Sequence, residues 1–153
     1  MSARYLIIAD GDFGPMTSKT ANSIVRYRPA HVVGVLDRRL AGSTVQDVLG
    51  FGGTTPVLGS IAEGLALGPT VVVIGIAPQG GRLPTEWRGW IAEALAAGCD
   101  VWNGLHTFLA DDPELAAVAR ANGRQILDLR RAPADLAVAS GLVPGRTGMR
   151  SAG

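Results

Sequence analysis

Residues 5–27 read YLIIADGDFGPMTSKTANSIVRY, and this stretch decides the fold class. Tyr5–Ala9 is a short apolar run that predicts a buried strand. A glycine-containing loop follows, and a helix is predicted from about Ser18 to Tyr27. The helix should end before Pro29, because proline disfavours helical backbone in the residue that precedes it. A strand, a loop and a helix in this order form the first unit of a parallel βαβ sheet.

The same alternation continues along the chain. Further strands are predicted at His31–Leu36, Thr55–Leu58, Thr70–Ile76, Asp100–Asn103 and Gln125–Leu129. Helices are predicted after Ser60, over about Thr85–Ala97 and after Asp112, and the spacing of Trp87 and Trp90 is typical of core packing. Six strands with five crossovers predict an α/β fold, a Rossmann-like, doubly wound and mostly parallel sheet in the order 3-2-1-4-5-6.

Composition limits the classes of protein to consider. The 153 residues, 47% of them apolar, suffice for one domain with a core, which we place at residues 1–142. Residues 143–153 are expected to be a flexible tail or a truncated interdomain linker. The net charge of +1 argues against nucleic acid as a partner. No apolar run approaches the roughly 18 residues that span a membrane, so a cytoplasmic protein without membrane partners is expected.

Two residue types draw attention by their scarcity. Cys99 is the single cysteine, which excludes an internal disulfide and a cysteine-rich metal site, and no other metal cluster is visible. We interpret this thiol as an inert, small apolar group. Of the 14 basic residues 13 are arginines, so Lys19 is the single lysine. We therefore consider Lys19 as a candidate ligand-binding residue.

The loop after strand one carries the first candidate site. Ligands of doubly wound sheets bind beyond the carboxyl ends of the strands, and a helix N-terminus there attracts anions. Gly11, Gly14, Lys19 and Thr20 are therefore predicted to bind a phosphate or a carboxylate. The match to a P-loop is degenerate, because Ser18 replaces the glycine that precedes the P-loop lysine. The alternative is a tight turn with Lys19 in solvent.

The end of strand two supplies a second candidate set. Asp37 could bind a ribose hydroxyl, and Arg38 or Arg39 could bind a ribose phosphate. An aspartate followed by solvated arginines is equally ordinary in a turn, so both interpretations stay open.

Two more loops complete the predicted site. After strand four, Pro78, Gly80, Gly81 and Arg82 lie in a stiff loop with exposed N–H groups, which favours contact with a ligand. After strand five, His106 is placed for acid–base catalysis. The alternative for His106 is a structural histidine that is bonded to a loop carbonyl.

Two sequence runs give the chain a family resemblance. Ala77–Pro84 reads APQGGRLP and Gly104–Leu109 reads GLHTFL, and further similarity lies in residues 18–27 and 33–37. From Tyr5 to Arg131 the chain resembles the D-glutamate N-acetyltransferase-like family, formerly described only as a domain of unknown function. Gly53–Val57 (GTTPV) also resembles, more loosely, the third strand of the CoA-binding domain of succinyl-CoA ligase-type enzymes.

The family resemblance implies a two-domain protein whose second half is built around a P-loop. It implies acetyl transfer from acetyl-CoA to the amino group of D-glutamate, and self-association. Lys19 and the glycine-rich loops would then hold phosphate or the substrate carboxylate, Arg38 or Arg39 the CoA ribose phosphate, and His106 would be the base. The chain ends where the P-loop domain is expected, so it is an excised domain or a stand-alone module that pairs with a P-loop subunit.

Two alternatives belong to other functional classes. The first is a non-catalytic module that binds ATP, another nucleotide or CoA and serves as a scaffold for a separate P-loop partner. The second is an NAD(P)-dependent oxidoreductase, for which the chain lacks the G-x-G-x-x-G sequence of dinucleotide-binding loops.

Overall fold

Six strands lie side by side in the order β3-β2-β1-β4-β5-β6, and each runs parallel to its neighbours. The computed structural model describes residues 3–74, 76, 83–104 and 109–128. The strands are β1 (Tyr5–Ile8), β2 (Val32–Leu36), β3 (Val57–Leu58), β4 (Val71–Ile74), β5 (Asp100–Asn103) and β6 (Ile126–Asp128). The predicted α/β class, the Rossmann-like sheet and the strand order are confirmed. The predicted domain boundary after residue 142 lies outside the described residues.

In the described part of the chain, five α-helices connect or flank these strands. They are α1 (Lys19–Tyr27), α2 (Val45–Leu49), α3 (Ile61–Leu65), α4 (Thr85–Ala96) and α5 (Pro113–Ala121). Helix α4 packs against both α3 and α5. Within the described part of the chain, no helix has the length and apolar character that crossing a membrane requires.

Two elements differ from the prediction. Helix α2 was not predicted, and its first turn is closed by a reciprocal pair of hydrogen bonds between Thr44 and Asp47. Strand β3 was predicted from Thr55 but begins at Val57. Pro56, which has no N–H to donate, forms an antiparallel bridge with Thr44, and its carbonyl accepts a hydrogen bond from Val35 N–H of β2 at 3.1 Å.

The core is centred on β1 and β4, which are buried along their whole length. Leu6 fills the space above Gly64 of α3 so closely that a Cβ on this glycine would lie 2.6 Å from a Leu6 methyl carbon. Cys99 is only 1% exposed, and its thiol donates a hydrogen bond to the carbonyl of Pro69 at 3.2 Å. Burial raises the pKa of this thiol, with a smaller contribution from Asp100. The predicted inert role fits these contacts.

The register of the strands defines the part of the molecule where a ligand is expected. Ile8 pairs with both Leu36 and Ile74, and Ile74 pairs with Asn103. The carboxyl ends of β1, β2, β4 and β5 therefore lie side by side, and we call this side of the sheet the carboxyl edge. Every loop that carries a predicted site residue leaves the sheet here.

Candidate functional site

The strand-one loop, residues 9–18, is held by its own polar groups. The Gly14 N–H donates to Ser18 Oγ at 3.1 Å, and the Gly14 carbonyl accepts from Asn22 Nδ2 at 2.8 Å. Asp12 N–H donates to the Ala9 carbonyl at 3.1 Å. Ser18 is fully buried, and its hydroxyl serves this loop instead of capping α1. These hydrogen bonds hold the loop in place, and the sequence motif did not reveal them.

Helix α1 begins at the end of this loop with Lys19. Lys19 and Thr20 are both exposed, and so is Gly11, whose φ of +92° requires glycine. The first turn of α1 contains no acidic residue and receives no side-chain cap. The positive end of the helix dipole therefore has no compensating negative group on its own helix. This arrangement fits the predicted anion site.

Asp37, at the end of β2, is turned inward. Its side chain is fully buried and accepts hydrogen bonds from Phe13 N–H at 3.1 Å and from Arg39 N–H at 3.0 Å. The Arg39 guanidinium adds two bonds, from Nε at 3.2 Å and Nη2 at 2.8 Å. Burial by itself raises the pKa of Asp37, but hydrogen bonds from Arg39 and from backbone N–H groups, including those of Gly11 and Phe13, outweigh it and lower this pKa. Asp37 thereby anchors the strand-one loop.

Arg38 points to a different carboxylate, that of Asp10 at the end of β1. Its guanidinium contacts both Asp10 oxygens, with the shortest distance 2.8 Å, and its backbone N–H donates to the same side chain at 2.8 Å. The guanidinium also lies over the Trp90 ring, 5.2 Å from the centroid, and 3.9 Å from Glu86. The hydrogen bonds to Asp10 are the main reason that the pKa of Arg38 is raised.

The two arginines that were predicted to bind a ribose phosphate are therefore each paired with an aspartate of the protein. Asp37, the predicted partner of a ribose hydroxyl, has its two oxygens occupied by groups of the protein. Asp10 was missed, although it lies two residues after β1, and Asp37 directly follows β2.

Both tryptophans pack in or against the core, as predicted, and Trp90 makes a second contact. Trp87 is buried in the core and stacks on Trp90, with 6.5 Å between ring centroids. Trp90 is only partly buried and uses its ring to contact Arg38. The helical spacing of the two residues could not reveal this second contact.

Five predicted site residues lie outside the described residues: Pro78, Gly80, Gly81, Arg82 and His106. The described residues that flank His106 are fixed by a buried carboxylate at the end of β6. Asp128 accepts from Asn103 Nδ2 at 2.9 Å and from Leu109 N–H at 2.9 Å. Sequence analysis did not single out Asp128, because no local pattern indicates that its side chain accepts hydrogen bonds from Asn103 and Leu109.

The described residues contain no group of His, Cys, Asp and Glu side chains that could hold a metal ion. A cavity of about 340 Å³ lies between α4 and α5, lined in part by Arg88 and Glu114. Another, of about 350 Å³, lies beside α1 and is lined in part by Tyr27 and Trp102. Neither cavity is lined by a predicted site residue that the structure describes. The carboxyl edge therefore remains the candidate site.

The parallel sheet, its strand order and a candidate site at the carboxyl edge define a Rossmann-like ligand-binding domain. The chain belongs to the family described as the DUF1611_N Rossmann-like domain, a domain of unknown function, whose model matches residues 38–132. This confirms the family resemblance.

Two curated relatives carry the name D-glutamate N-acetyltransferase. The protein from Tritonibacter scottomollicae is 33% identical over 138 residues, and the one from a Pseudoalteromonas species is 29% identical over 137 residues. Each match covers 90% of this chain but only 39% of the relative. The chain thus spans about two fifths of the length of these proteins.

Solved structures agree on the fold. The crystal structure of a DUF1611 family protein from Anabaena variabilis has a TM-score of 0.78 and 36% identity, and the match covers 87% of this chain and 38% of that one. Homoserine dehydrogenase from S. aureus has a TM-score of 0.57 at 14% identity, covering 83% of this chain and 32% of that one. At that identity the second likeness concerns the fold alone.

Proposed function

We propose that this chain is the Rossmann-like part of an acetyl-CoA-dependent amino-acid N-acetyltransferase that acts on D-glutamate or a close analogue. The observation that carries the proposal is the 33% identity, over 90% of the chain, to a protein named D-glutamate N-acetyltransferase. Because the chain spans 39% of that relative, the complete activity requires the remaining part of such an enzyme, either as a second domain or as a P-loop subunit.

The role we assign to the carboxyl edge is recognition of an anion. The ligand group is a phosphate of acetyl-CoA or a carboxylate of D-glutamate, bound by Lys19 and by the N–H groups that begin α1. Two observations support Lys19 over the neighbouring arginines. Arg38 and Arg39 are paired with Asp10 and Asp37, whereas Lys19 is exposed and forms no ion pair among the described residues.

The reaction itself needs a base. The ammonium group of D-glutamate must lose a proton before its nitrogen can attack the thioester carbonyl carbon of acetyl-CoA. A C–N bond then forms, the C–S bond breaks, and the CoA thiolate leaves and takes up a proton. We keep His106 as the proposed base, and we place Pro78, Gly80, Gly81 and Arg82 in the same proposed site, on sequence grounds.

A hybrid enzyme tests the proposal. In the Tritonibacter enzyme, the matched segment is replaced by the 138 matched residues of this chain, and transfer of labelled acetyl from acetyl-CoA to D-glutamate is measured. We expect activity well above that of the Tritonibacter enzyme from which the segment has been deleted. His106→Gln in the hybrid enzyme should abolish most of it, because glutamine cannot take up the proton.

Binding to the chain alone provides a second measurement. A ligand at 100 times its Kd stabilises a protein by about 2.7 kcal/mol, which is readily seen as a rise in Tm. Stabilisation by acetyl-CoA or D-glutamate supports the proposal. If the hybrid enzyme folds but is inactive, and only ATP stabilises the chain, the chain is a nucleotide-binding scaffold and the proposal is wrong.

A further inference from the structure

Arg38 joins three elements of the carboxyl edge that the sequence keeps far apart. Its backbone follows β2, its guanidinium binds the Asp10 carboxylate at the end of β1, and its planar face lies over Trp90 in α4. Glu86, in the first turn of α4, lies 3.9 Å from the same guanidinium. One side chain thus connects the strand-one loop with the beginning of α4.

The chemistry of these contacts requires arginine. Asp10 is only 9% exposed, and both of its oxygens are bound by the forked guanidinium, which also offers a flat cation to the indole ring. A lysine ammonium is a point charge, and it cannot bind two carboxylate oxygens in one plane while stacking on a ring. Lysine at position 38 would keep the charge but lose this geometry.

We infer that Arg38 is a positioning residue, which holds the strand-one loop at a fixed place relative to the first two turns of α4. It acts through Asp10 and Trp90 and does not itself bind the anion. The identity of the ligand at this site rests on the proposed function. The positioning role of Arg38 does not. Loss of the connection should weaken ligand binding without changing the chemical step.

The connection can be measured on the chain itself. Amide hydrogen exchange is followed in residues 9–18 and 85–90 for the wild type, Arg38→Met, Arg38→Lys and Asp10→Asn. The matched control is Arg4→Met, since Arg4 also makes two side-chain hydrogen bonds, to the carbonyls of Gly68 and Leu67, but at the opposite edge of the sheet. We expect about fivefold faster exchange in both segments for all three edge variants, and unchanged exchange there for the control.

A spectroscopic signature separates this connection from a general loss of stability. With 5-fluorotryptophan incorporated, the Trp90 resonance, assigned through Trp90→Phe, should shift in Arg38→Met and Arg38→Lys but not in Arg4→Met. In the hybrid enzyme, Arg38→Lys should raise KM about fivefold and leave kcat within about twofold, because the lost positioning affects ground and transition states alike.

The outcomes test the positioning role of Arg38 and the proposed function separately. Unchanged exchange and an unshifted Trp90 resonance in Arg38→Met overturn the positioning role. An active hybrid enzyme in which Arg38→Lys leaves KM unchanged also overturns the positioning role. If the wild-type hybrid enzyme folds but is inactive and only ATP stabilises the chain, the proposed function is wrong, and the exchange measurements alone decide whether Arg38 couples the strand-one loop to α4.

Discussion

Two carboxylates of the carboxyl edge, Asp10 and Asp37, each bind the guanidinium of an arginine. Arg38 and Arg39 are adjacent in sequence, yet they bind aspartates at the ends of different strands. The positive charge of this arginine pair is therefore largely balanced by the protein. We therefore expect other groups to make the main contact with an anionic ligand at this edge.

Lys19 is the residue we expect to supply that recognition. Lys19→Ala should weaken binding of the anionic ligand at least about tenfold, as expected for the loss of one charge-assisted contact. Its Tm should stay the same or rise slightly, because a cation at a helix N-terminus opposes the helix dipole. Thermal shift with acetyl-CoA and with D-glutamate measures both effects.

Arg120→Ala is the matched control for Lys19, since Arg120 is exposed on α5 and forms no ion pair among the described residues. If Lys19→Ala and Arg120→Ala bind the anionic ligand equally well, Lys19 is a solvent-exposed surface residue with no part in binding.

Asp37 gives a prediction for the dependence of stability on pH. Asp37→Asn should lower the free energy of unfolding by about 2 kcal/mol at neutral pH, because it removes charged hydrogen bonds from a buried group. The folded-state pKa of Asp37 lies below its ordinary value, so its contribution is complete above the unfolded pKa and is lost as the pH falls through the folded pKa.

The stability difference between the wild type and Asp37→Asn should therefore shrink below about pH 4. Urea unfolding between neutral and acid pH measures this difference. Asp47→Asn, at an exposed helix cap, serves as the comparison. A wild-type advantage that stays constant down to about pH 2 would contradict the assigned pKa direction.

At the scale of elements, two helical glycines should respond in opposite directions to alanine. In α3, a Cβ on Gly64 would lie 2.6 Å from a methyl carbon of fully buried Leu6, so Gly64→Ala should destabilise by about 1–3 kcal/mol. In α4, a Cβ on Gly89 meets nothing within 4 Å, so Gly89→Ala should stabilise by about 0.5–1 kcal/mol.

Chemical denaturation of the two variants measures both values. Both variants gain the same helix propensity from alanine, so the difference between them reports the packing around each glycine. Stabilisation by Gly64→Ala would show that α3 is free to move away from β1.

The elements also show what the sequence can predict. Apolar runs identified every strand, and the helices predicted after Ser60 and Asp112 do begin there, with these residues as N-caps. Helix α2 has five residues, too few for a helical period to emerge, and it was missed because no residue was recognised as its start; α3 is equally short but was predicted from Ser60.

The candidate site was harder to predict than the fold. The residue types at the strand ends pointed to the carboxyl edge, but their partners depend on which strands become neighbours. That Arg38 meets Trp90, and Asp37 meets Phe13, follows from the strand order and from side-chain direction. Neither contact leaves a pattern in the local sequence.

At the scale of the whole molecule, the fold resembles that of homoserine dehydrogenase. The contacts of the acidic residue at the end of β2 differ from those in NAD-binding domains. Doubly wound domains that bind NAD use an acidic residue near the end of β2 to bind a ribose hydroxyl. Here Asp37 is fully buried and occupied by Arg39 and Phe13. We therefore expect that millimolar NAD or NADP leaves the Tm unchanged, in contrast to acetyl-CoA.

A thermal-shift titration checks this expectation, with adenosine alone as the control for weak base stacking. A saturable rise in Tm with NAD that is absent with adenosine would instead favour an oxidoreductase.

The buried thiol of Cys99 has a practical consequence for the study of this fold. The side chain is 1% exposed between the end of α4 and the start of β5, and its raised pKa disfavours the reactive thiolate. A thiol reagent can modify it only after this part of the structure opens. Because the chain has one cysteine, the labelling rate reports how often this part of the molecule opens, with no engineered probe.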